Sequence, residues 1–447
     1  MGSVGPGTER PSIARSTALN LVGRLTSGAA VLGLAVLSTN VLDTHGRGVY
    51  AILATVAGIA MTIVTGGTPV MAADLIHGRR DERALHGASC AIALQSAIAL
   101  ALVAIAVSAL TAGVSLAALL CTAAVAALVT YSNFEMYVAQ ARGDVFRVRL
   151  TDIAMAVFPL VVTIVAVVVV VDPTVTTFMV AWALGAALTA ALQFADAIAR
   201  GGLVLRRAWQ VAVSIMRRSI GVALSNATAL LMSRIDVLVV AAVLSTSDAG
   251  VYSIPVALAS NLLLLSRSLL SATYHPIMTA PPSELAVRLS MALRHSVIIV
   301  LAGGCLSIPV VAVGSGFVFG DAYSEIWRPY AILVPALAAL CVGEILRHFL
   351  ITRLERQREI LFTTAGMLVV NGVLAVAGAA AFGLEGAAAS TTITYLAAAI
   401  ALVWYCARWL SVPMSRLALP RRSDLAPYVR VLRLLVSRRR ATGSTAP

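Results

Sequence analysis

Twelve apolar runs limit what this 447-residue chain can fold into. They lie at roughly 16–39, 50–74, 84–109, 114–140, 150–171, 174–198, 219–244, 249–275, 292–316, 329–351, 360–382 and 385–407. Each is long enough to cross a bilayer core of about 30 Å as a helix. The chain is 60% hydrophobic and only 12% charged, where a soluble domain is nearer half apolar and about a quarter charged. Very short turns separate two of the pairs, so 150–198 and 360–407 read as helical hairpins. The expected fold is an all-α polytopic membrane protein with twelve transmembrane helices. The connections leave no room for a soluble domain on either side.

The chain is also duplicated. Residues 41–52 read VLDTHGRGVYAI and residues 243–254 read VLSTSDAGVYSI, identical at seven of twelve positions. The matches include Gly48 with Gly250 and Tyr50 with Tyr252. Pro69-Val70-Met71 and Pro276-Ile277-Met278 echo each other, as do Glu135 and Glu344. The repeat is far too long for a solenoid unit and suits half of a duplicated transporter. Six helices per half is an even number, so the halves run parallel, related by an axis along the membrane normal. The expected organisation is a six-helix lobe at 1–199, a cytoplasmic linker with an amphipathic segment at 200–218, a second six-helix lobe at 219–407, and a basic tail at 408–447.

Charge fixes the expected orientation. All 33 basic residues are arginine. With the N-terminus inside, 28 fall at inner ends or inner loops, and only Arg47 and Arg328 fall outside. Arg24, Arg234 and Arg267 lie within helices. This asymmetry follows the positive-inside rule and puts both termini in the cytoplasm. The net charge of +13 therefore reflects topology and anionic lipid headgroups, and no nucleic-acid partner is expected. Segments 203–218 and 428–440 mix arginine with large apolar residues, as surface-lying helices do. The five cysteines sit in apolar runs without a CxxC, so neither a disulfide framework nor a zinc site is expected. The six histidines show no metal-ligand spacing. Arg24 inside the first run argues against a cleaved signal peptide.

Several short motifs recur in order: GRGVY entering the second helix, Arg234-Ile235-Asp236, AGVY at 249–252, FGDAY at 319–323, and GLEGAAAS at 383–390. On these the chain resembles bacterial polysaccharide flippases of the Wzx type in the MOP superfamily, with the lipid II flippase MurJ and the MATE exporters as more distant relatives. The resemblance spans about residues 12–407. It implies two six-helix lobes around a central cavity, alternating access, and the cytoplasmic membrane of a bacterium. MurJ-like proteins usually carry two further helices; ending after twelve favours the Wzx-like branch.

A flippase for a polyprenyl-diphosphate-linked glycan needs cations in a hydrated cavity, because buried unpaired charge is costly. Arginine suits a diphosphate through its planar donor fork. Arg24 lies roughly 12 Å into the first run at 1.5 Å per residue, and Arg267 lies at similar depth in the eighth. Each can face a cavity between the lobes or snorkel to the inner headgroups. The resemblance implies cavity arginines on these same two helices. Arg234 lies too deep to snorkel and needs a partner or water. Asp236, two residues on, does not share its helix face. Two readings stay open for this pair: cavity cation with ion-coupling carboxylate, or two fixed interhelical contacts. Glu135 is the stronger coupling candidate, since no cation lies at i+3 or i+4; the alternative is pairing with Arg142. Glu344 has Arg347 and His348 at those positions. The helix amides, among them Asn226, Asn371 and Gln193, mostly join helices. The prolines at 159, 255, 309 and 335 bend them.

The function expected is a flippase, not an enzyme, moving a lipid-linked oligosaccharide to the outer leaflet for cell-surface polysaccharide synthesis. Its partners are the glycolipid and membrane lipids, with a polymerase or glycosyltransferases nearby. It is expected as a monomer without cofactor or metal, apart from a coupling Na+ or H+. The rivals are a MATE-like cation-coupled exporter, a membrane-embedded glycan ligase or glycosyltransferase, and a scaffold recruiting a cytosolic partner. Three cavity arginines are a poor lining for cations, and the outer acidic residues are scattered.

Overall fold

The structure is a computed structural model. It describes residues 13–425 except 77, 79–80, 111–113, 143, 201, 203, 207, 279 and 355. The elements are helical throughout the described residues: α1 (Ile13–Val41), α2 (Thr44–Thr65), α3 (Thr68–Ile76), α4 (Glu82–Leu110), α5 (Leu116–Ala141), α6 (Val145–Val169), α7 (Val175–Ala199), α8 (Ala208–Met232), α9 (Ile235–Val243), α10 (Thr246–Met278), α11 (Pro282–Phe319), α12 (Trp327–Leu354), α13 (Gln357–Trp409) and α14 (Met414–Ala418), with 3-10 turns at Asp321–Tyr323 and Arg422–Leu425.

Among the described residues, eight stretches are long and apolar enough to cross a membrane, and α8 with α9, bent by 50° at a short break, makes a ninth. The 53 residues of α13 would extend about 80 Å at 1.5 Å per residue, too far for one crossing. The helix folds back at Gly383, where φ is 62° and ψ is −139°, a region open to glycine. Across this turn Ser390 Oγ donates to Leu374 O at 2.7 Å. Its two arms, with α1 and α10 at 29 and 33 residues, complete the expected twelve spans.

The repeated motif has the same physical content in both halves. Asp43 caps α2, accepting from Gly46 N–H at 2.8 Å. Ser245 stands at the matching place before α10 and accepts from Asp248 N–H at 3.0 Å. Such caps satisfy orphaned donors at a helix start. They also explain why both helices begin a few residues before their apolar runs. The glycines then let the halves touch: a Cβ on Gly48 would stand 1.8 Å from Thr246 O, and one on Gly250 would stand 2.3 Å from Thr44 O. So α2 and α10 cross backbone to backbone, each motif against the other.

This crossing belongs to a seal at one end of the bundle, the end where α1 stops and α2 begins. Ala35 of α1 packs there with Ile254 of α10, Phe319 of α11, Tyr323 and Ile326. Asn40 Nδ2 donates to Val318 O at 2.9 Å. Arg47 is 5% exposed and lies 5.3 Å from the Tyr50 ring centroid. Burial is the main cause raising the Tyr323 hydroxyl above its usual pKa, so this group beside Arg47 stays neutral at ordinary pH.

Residues 208–218, read from sequence as part of a linker lying on the membrane surface, form the first turns of α8. They run directly into the membrane span. Ala212 and Ile215 are buried against Leu85, Ala88, Phe134 and Val138 of the first half, while Trp209 and Val213 stay exposed. Arg218 grips buried Asp74 with both guanidinium nitrogens, one at 3.0 Å. The helix that opens the second half thus begins packed on the first. Segment 428–440 lies outside the described residues.

Candidate functional site

The seventh span breaks between Met232 and Ile235, bent by 50°, and side chains there bond the backbone that the break frees. Ser233 Oγ donates to Leu230 O at 2.7 Å, and the amides of Ser233 and Arg234 step back three residues, to Leu230 O and Leu231 O. The freed Met232 carbonyl accepts from Tyr395 Oη at 3.0 Å and Asn371 Nδ2 at 3.2 Å. Backbone exposed inside a membrane needs such substitutes. Arg234 then caps α9 with φ −134° and ψ −8°.

A cavity of about 460 Å³ opens at this break, walled by α8, α9, α10, α12 and both arms of α13, with Thr62 reaching in from α2. Its charged groups are Arg234, Asp236, Glu344 and Arg347, and its polar groups include Asn226, Ser233, Thr391 and Tyr395. Asp236 is 2% exposed and well held. It accepts from Tyr252 Oη at 3.0 Å, Val237 N–H at 2.9 Å and, more loosely, Thr391 Oγ1 at 3.4 Å. The Arg234 guanidinium makes no hydrogen bond or ion pair among the described residues. Its donor fork is therefore available to the cavity.

The break changes the sequence-based geometry. On a continuous helix, Arg234 and Asp236 would face different neighbours. With the chain bent between them, both line one cavity. Glu344 joins them from α12, one turn before Arg347. The side chains of Arg24 on α1 and Arg267 on α10 lie outside the described residues.

Glu135 is elsewhere, in the first half, and is 0% exposed. It accepts from Ser89 Oγ at 2.6 Å, and its other oxygen lies 2.6 Å from His86 Nδ1 and 3.8 Å from Arg147. The Arg142 partner weighed for it pairs instead with Glu82, because Arg142 caps the end of α5 at the mouth of the cluster. His86 does not stand out in the sequence, where the six histidines are scattered. The signal was present: Glu82, His86 and Ser89 recur at i, i+4 and i+7, one face of a helix. Asp196 and Arg147, 2.7 Å apart, come from different helices and had no local signal. Gln193 and Asn371 bridge helices, whereas Asn226 lines the cavity.

No family model matches the sequence, and neither does any curated protein. Solved structures match over nearly the whole chain. One is the outward-facing conformation of a multidrug resistance MATE family transporter of the MOP superfamily, at TM-score 0.66 and 14% identity, covering 89% of this chain and 96% of that one. The inward-facing conformation of such a transporter matches at TM-score 0.67 and 14% identity, covering 88% and 98%. A MOP superfamily transporter from Pyrococcus furiosus, whose reverse polarity of binding pocket is said to suggest a different function, matches at TM-score 0.59 and 14% identity, covering 89% and 93%. At these identities the likeness is one of fold: this chain is built as MOP-superfamily transporters are.

Proposed function

We propose that this protein is an alternating-access flippase that carries a polyprenyl-diphosphate-linked oligosaccharide from the inner to the outer leaflet of a bacterial cytoplasmic membrane. The observation that supports it most is Arg234, a guanidinium without a hydrogen-bonding partner among the described residues, at a broken helix in a membrane-embedded cavity. A diphosphate supplies the paired oxyanions such a fork binds. Hydroxyls and amides around it suit a glycan, and the prenyl tail stays in lipid. Arg24 and Arg267 are proposed to extend this cationic lining. Asp236, Glu344 and Glu135 are the candidates for binding a coupling Na+ or H+. The fold is found in outward- and inward-facing forms, which supplies the two states that alternating access needs.

One observation favours a second reading. Asp236 and Glu344 balance the two cavity arginines, as a cation-coupled small-molecule exporter would require. Asp236, however, already accepts three hydrogen bonds, whereas the Arg234 guanidinium has no such partner among the described residues.

Reconstitution tests the choice. The diphosphate carries about two negative charges, and each charge crossing 100 mV is worth about 2.3 kcal/mol. Vesicles with an imposed potential, negative on the loading side, are expected to drive the lipid-linked glycan to the far leaflet without an ion gradient. Transport indifferent to potential that collapses when a sodium or proton gradient is removed means that ion coupling drives the cycle. Efflux of organic cations with no glycolipid movement favours the exporter.

The proposed topology has its own check. Cysteines at Gly5, Gly202 or Thr442 are expected to resist an impermeant thiol reagent in intact cells, while one at Ser247 reacts. The reverse pattern inverts the protein, and with it the meaning of the seal. In the proposed orientation the sealed end is the outer one.

A further inference from the structure

The first half contains a buried chain of ionisable groups that the cavity does not use. His86, 2% exposed, stands between two carboxylates. Its Nε2 lies 2.9 Å from Glu82 Oε1, and its Nδ1 lies 2.6 Å from Glu135 Oε2. Glu82 is 27% exposed and Glu135 is sealed at 0%, so the imidazole links a carboxylate that reaches the surface to one that does not. Arg147, from α6, lies 3.8 Å from Glu135 and 2.7 Å from Asp196 of α7. Asp196 also binds Arg200 at 3.0 Å, and Arg200 lies 3.7 Å from Asp144.

Two features say that this cluster is incomplete. Among the described residues, four carboxylates (Glu82, Glu135, Asp144, Asp196) face three arginines (Arg142, Arg147, Arg200), so with a neutral histidine this described set is one positive charge short. Moreover, His86 Nδ1, Glu135 Oε2 and the terminal nitrogens of Arg147 are buried without an aligned hydrogen bond among the described residues. Unsatisfied buried polar atoms ask for an explanation. The other groups facing the pair do not supply the charge. Cys90 and Tyr131, from α4 and α5, have no positively charged form. The neighbouring helices α2, α3 and α8 bring Val64, Met71, Ala212 and Ile215.

We propose that Glu135 is a proton-binding site loaded through His86 from Glu82. A proton on Glu82 passes to Nε2 as the Nδ1 proton passes to Glu135 Oε2, so one proton enters and one leaves the ring. Unloading runs the same steps backwards and restores the tautomer. An imidazole can act this way because its two nitrogens exchange donor and acceptor roles. Protonated Glu135 releases Arg147 to Asp196, tying α6 to α7 and loosening both from α5. Phe134, the neighbour of Glu135, packs in the same cluster as Ile215 of α8, so the change is felt at the helix that enters the second half. The proposal rests on the transporter reading for what the proton drives, and names H+ as the ion.

The test uses the full-length protein in lipid nanodiscs without glycolipid, followed by infrared spectroscopy. A carboxylic-acid C=O band that rises as pH falls is expected, absent in Glu135→Gln and moved in Glu135→Asp. In His86→Ala the band persists, but its appearance after a pH jump slows on the order of tenfold or more. Melting temperatures of each variant confirm folding, and Glu135→Asp retains the measurement if Glu135→Gln does not fold. No band assignable to Glu135, or loading unaffected by His86→Ala, overturns the proposal. So does sodium, but not potassium, stabilising wild type and not Glu135→Gln, since the site would then take a metal ion. Because no glycolipid is present, failure here is distinct from failure of the flippase reading.

Discussion

Arg234→Ala is expected to abolish transport of the proposed diphosphate-linked glycan while the protein still accumulates in the membrane. Both halves of this expectation come from the same geometry. The guanidinium makes no hydrogen bond or ion pair among the described residues, so its removal breaks none of the contacts described. Asp236 keeps its bonds to Tyr252, Thr391 and the Val237 amide. What is lost is the donor fork facing the cavity. A hydrogen bond to a charged group contributes about 1.5–3 kcal/mol, which is about tenfold to more than a hundredfold in affinity. A diphosphate left unmatched in a low-dielectric cavity raises the loss further. Arg234→Lys is expected to recover part of the rate, because it retains the charge and loses the paired geometry. Flipping is measured in vesicles, with protein amount and melting temperature as controls. Wild-type flipping by Arg234→Ala would remove the observation on which the proposed substrate rests.

The fold was legible in the sequence because bilayer thickness, apolar run length and turn residues all act locally. The hairpin at Gly383 shows this: the run of small residues around it reads as a turn, and the glycine takes the positive φ. Equally, Gly48 and Gly250 stood out as a repeat before their crossing was known. The candidate site was only half legible. Arg234 and Asp236 were recognised as ionisable residues deep in an apolar run, which a membrane rarely tolerates without purpose. Their shared cavity was not, since the break between them has neither glycine nor proline to announce it. It depends on Asn371 and Tyr395 of α13 donating to the Met232 carbonyl, a contact distant in sequence that no local pattern encodes. The charge cluster at Glu135 failed to show for the same reason. Its members come from four helices, α4 to α7, and only the Glu82–His86–Ser89 face is local.

The fixed cap and the broken span together suggest where motion is possible. Arg218 on Asp74 binds the start of α8 to the first half, whereas its end opens onto the cavity in the second. One helix therefore packs on both lobes, which also meet where α2 crosses α10 and where α1 packs on α10 and α11.

Gly48→Ala is expected to force that crossing apart. The added methyl would stand 1.8 Å from Thr246 O and 2.7 Å from its carbonyl carbon. These are backbone atoms, so no side chain can rotate aside, and the helices themselves must separate. Overpacking of this kind costs about 1–3 kcal/mol. The cost falls on the sealed state alone, because opening this end removes the contact. The equilibrium therefore moves toward the open state, about tenfold for each 1.4 kcal/mol. Gly250→Ala acts the same way against Thr44 O at 2.3 Å, and the pair should not add fully, since both strain one contact. The measurement is labelling of a cysteine at Ser260, on the cavity wall, by an impermeant reagent applied from the sealed side. Faster labelling with slower net transport is the expected result, for a carrier biased to one state cannot complete its cycle. Labelling and transport both unchanged from wild type would mean that this crossing is not the gate.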